Sequence, residues 1–403
     1  MTGPSEKIRF RAERYLTGNY GARDLALVRG EGIYVWDADG NRYVDLLSGL
    51  GVNNLGHCHP KVVAAIREQA GRLLHVSNLY LNEPQTRLAE LLVENSPADR
   101  VFFCNSGTEA METAIKMARR FSFDHYGPGR HKMIALQNSF HGRTLGALSA
   151  TGQTKYHHGF QPLVEGFIHV PINDIEAMRK VTDESVCAVL LEPVQGEGGV
   201  YPCRPDYLRD VRALCDREKW LLIFDEVQCG LGRSGHLFAS DEFGVEPDLI
   251  TLAKSLAGGV AIGALLAKEK PAASFVAGTH AATFGGNPLA CAAGIAAFTV
   301  LLEERLPARA KKLGERFRNR LLELKAKHPG ILEVRGMGLI VGVQMDFPVA
   351  ELVKGLRNRG YIAGMAGPNV LRFLPPLITE EKILLETVDV VDEVLAEQTA
   401  PKV

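Results

Sequence analysis

The chain has 403 residues, with 46 Lys+Arg against 47 Asp+Glu, a formal net charge of −1, 46% hydrophobic residues and 23% charged residues. This composition is too apolar and too evenly charged for a disordered chain, and it has no excess of positive charge to attract a nucleic-acid backbone. The length predicts one large domain with a smaller partner.

In chain order, the polar stretch Met1 to Arg14 lacks an apolar core, so no secretory signal is expected. Strand-like pieces Ile33–Trp36 and Arg42–Asp45 flank the turn Asp39-Gly40 and are expected to pack with the C-terminal part. Short apolar runs then alternate with longer amphipathic stretches. Val101–Cys104, Met133–Leu136, Val186–Leu191, Leu221–Phe224 and Leu249–Leu252 are predicted strands, with helices such as Thr108–Arg120 and Pro205–Glu218 between them. That order predicts an α/β domain with a mainly parallel sheet. Ala281 to Leu302 is uncharged and long enough to span a membrane, but Gly285-Gly286-Asn287-Pro288 breaks it, so a loop and a buried helix are expected. Beyond Leu289 come the helix Arg305–Lys327 and strands within Val334–Met345 around Arg335-Gly336-Met337-Gly338, which predict a smaller α+β domain.

The seven cysteines are odd in number, irregularly spaced and contain no C-x-x-C, which fits free thiols in a reducing, cytoplasmic setting. Leu221 to Glu226 resembles a Walker B strand, but the chain has no Gly-Lys pair for a P-loop. Gly49-Leu50-Gly51 and Gly336-Met337-Gly338 both lack the third glycine of a dinucleotide fingerprint. His57-Cys58-His59 has no second ligand pair, so no metal is expected. There is no G-x-S-x-G elbow.

Two residues stand out. Asp225 ends an apolar strand and Lys254 follows the run Asp248–Ala253, and the carboxyl ends of parallel strands face the ligand crevice. Each alone reads equally well as a charge capping a strand. Together they suit pyridoxal phosphate (PLP), which needs a lysine for its Schiff base and a carboxylate beside its pyridine nitrogen. Cys104 to Ala110 reads as strand, glycine turn and helix, where Ser106, Gly107 and Thr108 suit a phosphate or merely cap the helix. Thr283 beside Gly285-Gly286 is a second phosphate candidate. Phe140 and Val227 suit the two faces of a flat ring, and Gln228 its hydroxyl. Arg143 and Arg372 suit substrate carboxylates, with Glu197 a plausible partner for Arg372 if that arginine is buried.

Taken in order, Leu55 to Pro60, Asn105 to Ala110, Asn138 to Thr144, Ala150 to Tyr156, Glu192 to Gly199, Phe224 to Gln228, Ala253-Lys254, Thr283 to Pro288 and Leu374 to Leu377 resemble the class III aminotransferases of PLP fold type I, and within them the acetylornithine aminotransferase group. The resemblance covers nearly the whole chain. It implies a large domain over 51–288 with a mainly parallel seven-stranded sheet flanked by helices. It also implies a small α+β domain over 289–403 and an N-terminal segment, 1–50, packed on the latter. It implies a homodimer with shared active sites, using 2-oxoglutarate and small amino-acid substrates. Residue by residue, it implies Lys254 as Schiff-base lysine and proton shuttle, and Asp225 at the pyridine nitrogen. Gln228 would contact the ring hydroxyl and Phe140 and Val227 its faces. Gly107 and Thr108, with Thr283 from the neighbouring subunit, would bind the phosphate. Arg143 and Arg372 would hold carboxylates, with Glu197 as a switch that covers Arg372 for the amine donor and releases it for glutamate or 2-oxoglutarate. The implied reaction moves the terminal amino group of N2-acetylornithine, in arginine biosynthesis. Ornithine, succinylornithine, succinyldiaminopimelate and 4-aminobutyrate are rival donors, and a PLP aminomutase or racemase is a rival class. One departure is Met111, where the family often has Asn.

Overall fold

Val186–Leu191 is apolar on both faces, and a strand of that kind is stable only when both faces of its sheet are covered. In the computed structural model, which describes residues 3–21 and 23–399, it lies inside a seven-stranded sheet. In chain order the strands are β1 (Arg100–Cys104), β2 (Lys132–Leu136), β3 (Phe167–Val170), β4 (Val186–Leu191), β5 (Leu221–Asp225), β6 (Leu249–Leu252) and β7 (Gly263–Ala267). They lie side by side as β1-β7-β6-β5-β4-β2-β3. Only β7 is antiparallel to its neighbours, so the other strands share one direction and their carboxyl ends share one edge.

The predicted strands fall within a residue or so of their places. Sequence reading missed β3 and β7. Phe-Ile-His-Val is a short edge strand with a mixed burial pattern, and Gly-Ala-Leu-Leu-Ala is poor in the β-branched residues that mark strands. The helices Gly107–Tyr126 and Pro205–Glu218 form where expected, the second starting on Pro205.

The opening hairpin, Tyr34–Asp37 with Arg42–Asp45, joins a four-stranded sheet whose last strand is Tyr361–Ile362, which pairs with Val44 and Asp45. A second four-stranded sheet holds Ile331–Met337, Ile340–Met345, Val370–Phe373 and Gly364–Met365. The uncharged stretch ends in the helix Pro288–Glu303, whose inner face is buried, and among the described residues no helix is long and apolar enough to cross a membrane.

Arg233 ties these parts together. It is wholly buried, and its guanidinium donates to Leu339 O (2.9 Å), Pro375 O, Asn54 Oδ1 and Ser48 Oγ, with no ion pair among the described residues. Burial pushes its pKa down to about 9, with Asp45 opposing. Replacing it strands several buried acceptors at once. Arg233→Met is therefore expected to cost about 3–5 kcal/mol. Denaturant unfolding checks this, and a loss under about 1 kcal/mol would show that these acceptors find other donors.

Candidate active site

A cavity of about 490 Å³ opens at the carboxyl edge of the sheet. It is lined by Ser106, Gly107, Thr108, Phe140, Arg143, Glu197, Asp225, Val227, Gln228 and Lys254, which the structure therefore brings together. Each comes from the end of a strand, the loop after it or the first turn of the helix that follows, as the shared strand direction requires.

Asp225 is the last residue of β5 and is almost fully buried. Its Oδ2 is 2.8 Å from His141 Nδ1, and its Oδ1 accepts from Val227 N (3.1 Å) and Thr251 Oγ1 (3.2 Å). Three donors thus fix the carboxylate's plane. His141 and Thr251 were not singled out from sequence, although His141 sits between two residues that were. Lys254 follows β6 with φ = +40°, a left-handed backbone costly for a residue with a Cβ. Burial lowers its pKa, opposed by Glu197 and Asp225.

The phosphate candidates divide their groups unevenly. Ser106 Oγ accepts from Glu109 N (3.3 Å), so it caps the helix and keeps its own hydrogen to donate. Thr108 Oγ1 accepts from the N–H groups of Arg143 and Thr144, both at 3.2 Å. The Thr144 hydroxyl donates to Glu112 Oε1, so Thr108 spends its hydrogen on Thr144 at 2.9 Å. What remains for an anion is the Ser106 hydroxyl with the helix's first N–H groups, which have no acceptor within the helix. The hydroxyl expected of Thr108 is thus already engaged within the chain. Glycine is needed here twice. A Cβ on Gly107 would stand 2.9 Å from Val227 Cγ1, and one on Gly142, at φ = +135°, would stand 2.3 Å from Thr108 Oγ1.

Phe140 and Val227 both face the cavity, and Phe140 is braced edge-on by Tyr156 at 5.9 Å between centroids. Arg143 is exposed at the mouth, with its guanidinium carbon 4.0 Å from the Tyr156 ring centroid and 5.2 Å from that of Phe140. Among the described residues no carboxylate pairs with it.

Arg372 does not line the cavity but reaches its edge from Val370–Phe373. It is 2% exposed and donates to Glu197 Oε1 (2.6 Å), Gly196 O (3.1 Å) and Gln228 Oε1 (3.5 Å). Burial pushes the Glu197 carboxyl up, but the Arg372 guanidinium, with Lys254 and Gln228, outweighs it and holds the pKa below its ordinary value. Gln228 Nε2 also reaches Glu197 Oε1 (3.3 Å) and Leu50 O (3.4 Å). Glu192, unassigned from sequence although it directly follows the apolar run of β4, also lines the cavity. Burial pushes it up to about 7, with His141 opposing and Asp225 adding.

Thr283 lies outside this cavity. It is exposed, on a segment tethered by Asn78 Nδ2 to Ala282 O (3.0 Å) and Gly285 O (2.9 Å). Met111 is fully buried in an apolar cluster with Ala114, Ile115 and Ala147. His57 Nε2 is 2.7 Å from Asp45 Oδ2, while Cys58 is exposed.

The family described as aminotransferase class-III matches residues 17–395. The chain belongs to that family. It is 50% identical over 386 residues to the acetylornithine aminotransferase of Caldanaerobacter subterraneus subsp. tengcongensis, covering 96% of this chain and 98% of that one. Its fold is similar to an acetylornithine aminotransferase from Elizabethkingia anophelis (TM-score 0.88, 35% identity, 98% and 100% of the two chains). It is also similar to an ornithine aminotransferase from Toxoplasma gondii with partial occupancy of PLP at its active site (TM-score 0.93, 36% identity, 97% and 94%). This aminotransferase thus has the seven-stranded α/β architecture of PLP fold type I.

Proposed function

We propose that this aminotransferase uses PLP to move the terminal amino group of N2-acetylornithine to 2-oxoglutarate, giving N-acetylglutamate 5-semialdehyde and glutamate, a step of arginine biosynthesis. The observation that carries the reading is one cavity that holds a half-buried amine, a carboxylate oriented by three donors, an anion cradle and an exposed arginine, with a second arginine covered by a glutamate at its edge.

These residues fit PLP. The Ser106 hydroxyl and the N–H groups of Gly107 and Thr108 would hold its phosphate, Phe140 and Val227 its ring faces, Gln228 its hydroxyl and Asp225 its pyridine nitrogen. When bound, PLP supplies an electron sink for the bond broken at the substrate's amine-bearing carbon. Lys254 Nζ would hold the cofactor and, once displaced by substrate, take the proton from that carbon. Its depressed pKa lets it act as a base closer to neutrality. Arg143 takes the donor's carboxylate with its planar fork. The Glu197–Arg372 pair keeps a buried cation neutralised while the donor's amine approaches, then opens for the second carboxylate of 2-oxoglutarate.

Acetylornithine as donor rests on the 50%-identical relative of that name. The likeness to the Toxoplasma enzyme favours free ornithine as the second reading. A homodimer is supported by the exposed apolar residues Leu73, Leu74, Leu79, Tyr80, Leu81, Val276 and Phe284, a set that a partner surface would cover. Thr283 lies beside Phe284 and would complete the partner's phosphate site. A cytoplasmic location is supported by seven unpaired thiols, all but Cys58 buried. The division at 50/51 and 288/289 belongs to the same proposal.

Amine donors compared by kcat/KM with 2-oxoglutarate test the substrate. Acetylornithine is expected to exceed free ornithine and 4-aminobutyrate, and either rival ahead of it would overturn the donor. The purified protein should absorb as a lysine-linked PLP enzyme and lose that band in Lys254→Ala. An unchanged spectrum would end the cofactor assignment.

A further inference from the structure

Glu192 stands directly after β4, is 5% exposed and forms no ion pair among the described residues. Its two oxygens point to different parts of the site. Oε2 accepts the N–H of Phe140 at 2.9 Å, and Oε1 accepts the N–H of Gly196 at 3.2 Å. The first bond fixes a wall of the cavity. The second fixes the neck of the loop that carries Glu197. Gly196 passes the constraint on, because its carbonyl accepts from Arg372 Nη1 at 3.1 Å. The loop packs closely on its surroundings: a Cβ on Gly198 would stand 2.3 Å from the backbone Asn138 O, and one on Gly196 would displace the end of the Gln228 side chain. Beyond the neck, the Glu197 side chain is 24% exposed, whereas that of Arg372 is 2% exposed. The pair therefore has a held member and a member with room to move.

We propose that Glu192 is a positioning residue for the dicarboxylate acceptor: by gripping the Phe140 and Gly196 N–H groups together, it keeps the Gly196 carbonyl and Arg372 in place while Glu197 swings away. The proposal rests on the acceptor assignment made above. When Glu197 leaves, Arg372 loses its carboxylate and, among the described residues, keeps the Gly196 and Gln228 oxygens to orient it. Of these, the Gly196 contact is the shorter. A fork that stays oriented meets the incoming carboxylate without first being ordered, which is where affinity is gained. Two converging N–H donors need two acceptor oxygens. Glutamine offers one oxygen and would set an NH2 against the other N–H.

The test uses the cofactor-loaded protein at about pH 8, where a carboxyl of pKa near 7 is ionised. Glutarate, a five-carbon dicarboxylate that cannot accept an amino group, is titrated calorimetrically into wild type, Arg372→Ala, Glu192→Gln and Glu192→Asp. Glu192→Gln is expected to bind glutarate about fivefold more weakly, the loss of roughly one hydrogen bond. The KM for 2-oxoglutarate should rise by a similar factor and that for the amine donor by less than about twofold. Glu192→Asp keeps both oxygens on a shorter arm, so its affinity should fall between wild type and Glu192→Gln. If Glu192→Gln does not fold, the same selective rise in the 2-oxoglutarate KM is read in Glu192→Asp. Unchanged glutarate affinity, or an equal loss for donor and acceptor, would overturn the proposal. Wild type that fails to bind glutarate, or Arg372→Ala that binds it normally, would instead reject the acceptor site on which the proposal stands.

Discussion

Charge buried at the edge of the central sheet must be paired, and that constraint shapes the site. Asp225, Glu192 and Arg372 are buried, and Lys254 and Glu197 half-buried, in or beside one cavity, and an isolated buried ion costs several kcal/mol. The structure meets the cost with specific partners. Asp225 has three donors, Glu192 two backbone N–H groups, and Arg372 both a carboxylate and a carbonyl. Lys254 is the exception, with no hydrogen-bond partner among the described residues and only the nearby Glu197 and Asp225 charges opposing its burial; the exposed Arg143 is solvated by water.

The fold supplies these partners because strand direction and charge placement coincide. β1, β2, β4, β5 and β6 all end at the same edge, so the loops after them converge from positions far apart in the chain. The second four-stranded sheet delivers Arg372 to that edge, and Arg233 stitches the opening segment and the C-terminal residues to the loop after β5. The two arginines are buried for different ends. Arg233 donates to uncharged oxygens in fixed backbone and side chains. Arg372 is held partly by a glutamate, half-exposed on a glycine-flanked loop.

Much of this was legible in the chain. Asp225 and Lys254 each end an apolar run, which betrays a charge held on a rigid element, and Arg372 is a lone charge among apolar residues. Cys104 to Ala110 carries the grammar of strand, turn and helix. What stayed hidden depends on distance in space. His141 and Thr251 matter because they meet Asp225, and no spacing along the chain announces that 84- and 26-residue separation. The Thr108 hydroxyl looked free in the sequence and is consumed by Thr144, Arg143 and Glu112 acting together. β3 and β7 were missed because one is a short edge strand and the other is built of Gly, Ala and Leu.

The central claim is that one buried arginine serves only one of two substrates, and that Glu197 decides which. Rapid-mixing measurement of the two half-reactions in Glu197→Gln tests it most directly. The amide oxygen can still accept from Arg372, but it no longer neutralises the guanidinium's charge. The account predicts that amine transfer from the donor slows by about tenfold or more, the scale of one charge-assisted contact, while transfer to 2-oxoglutarate keeps its wild-type rate. Equal slowing of both half-reactions, or no slowing of either, would contradict it.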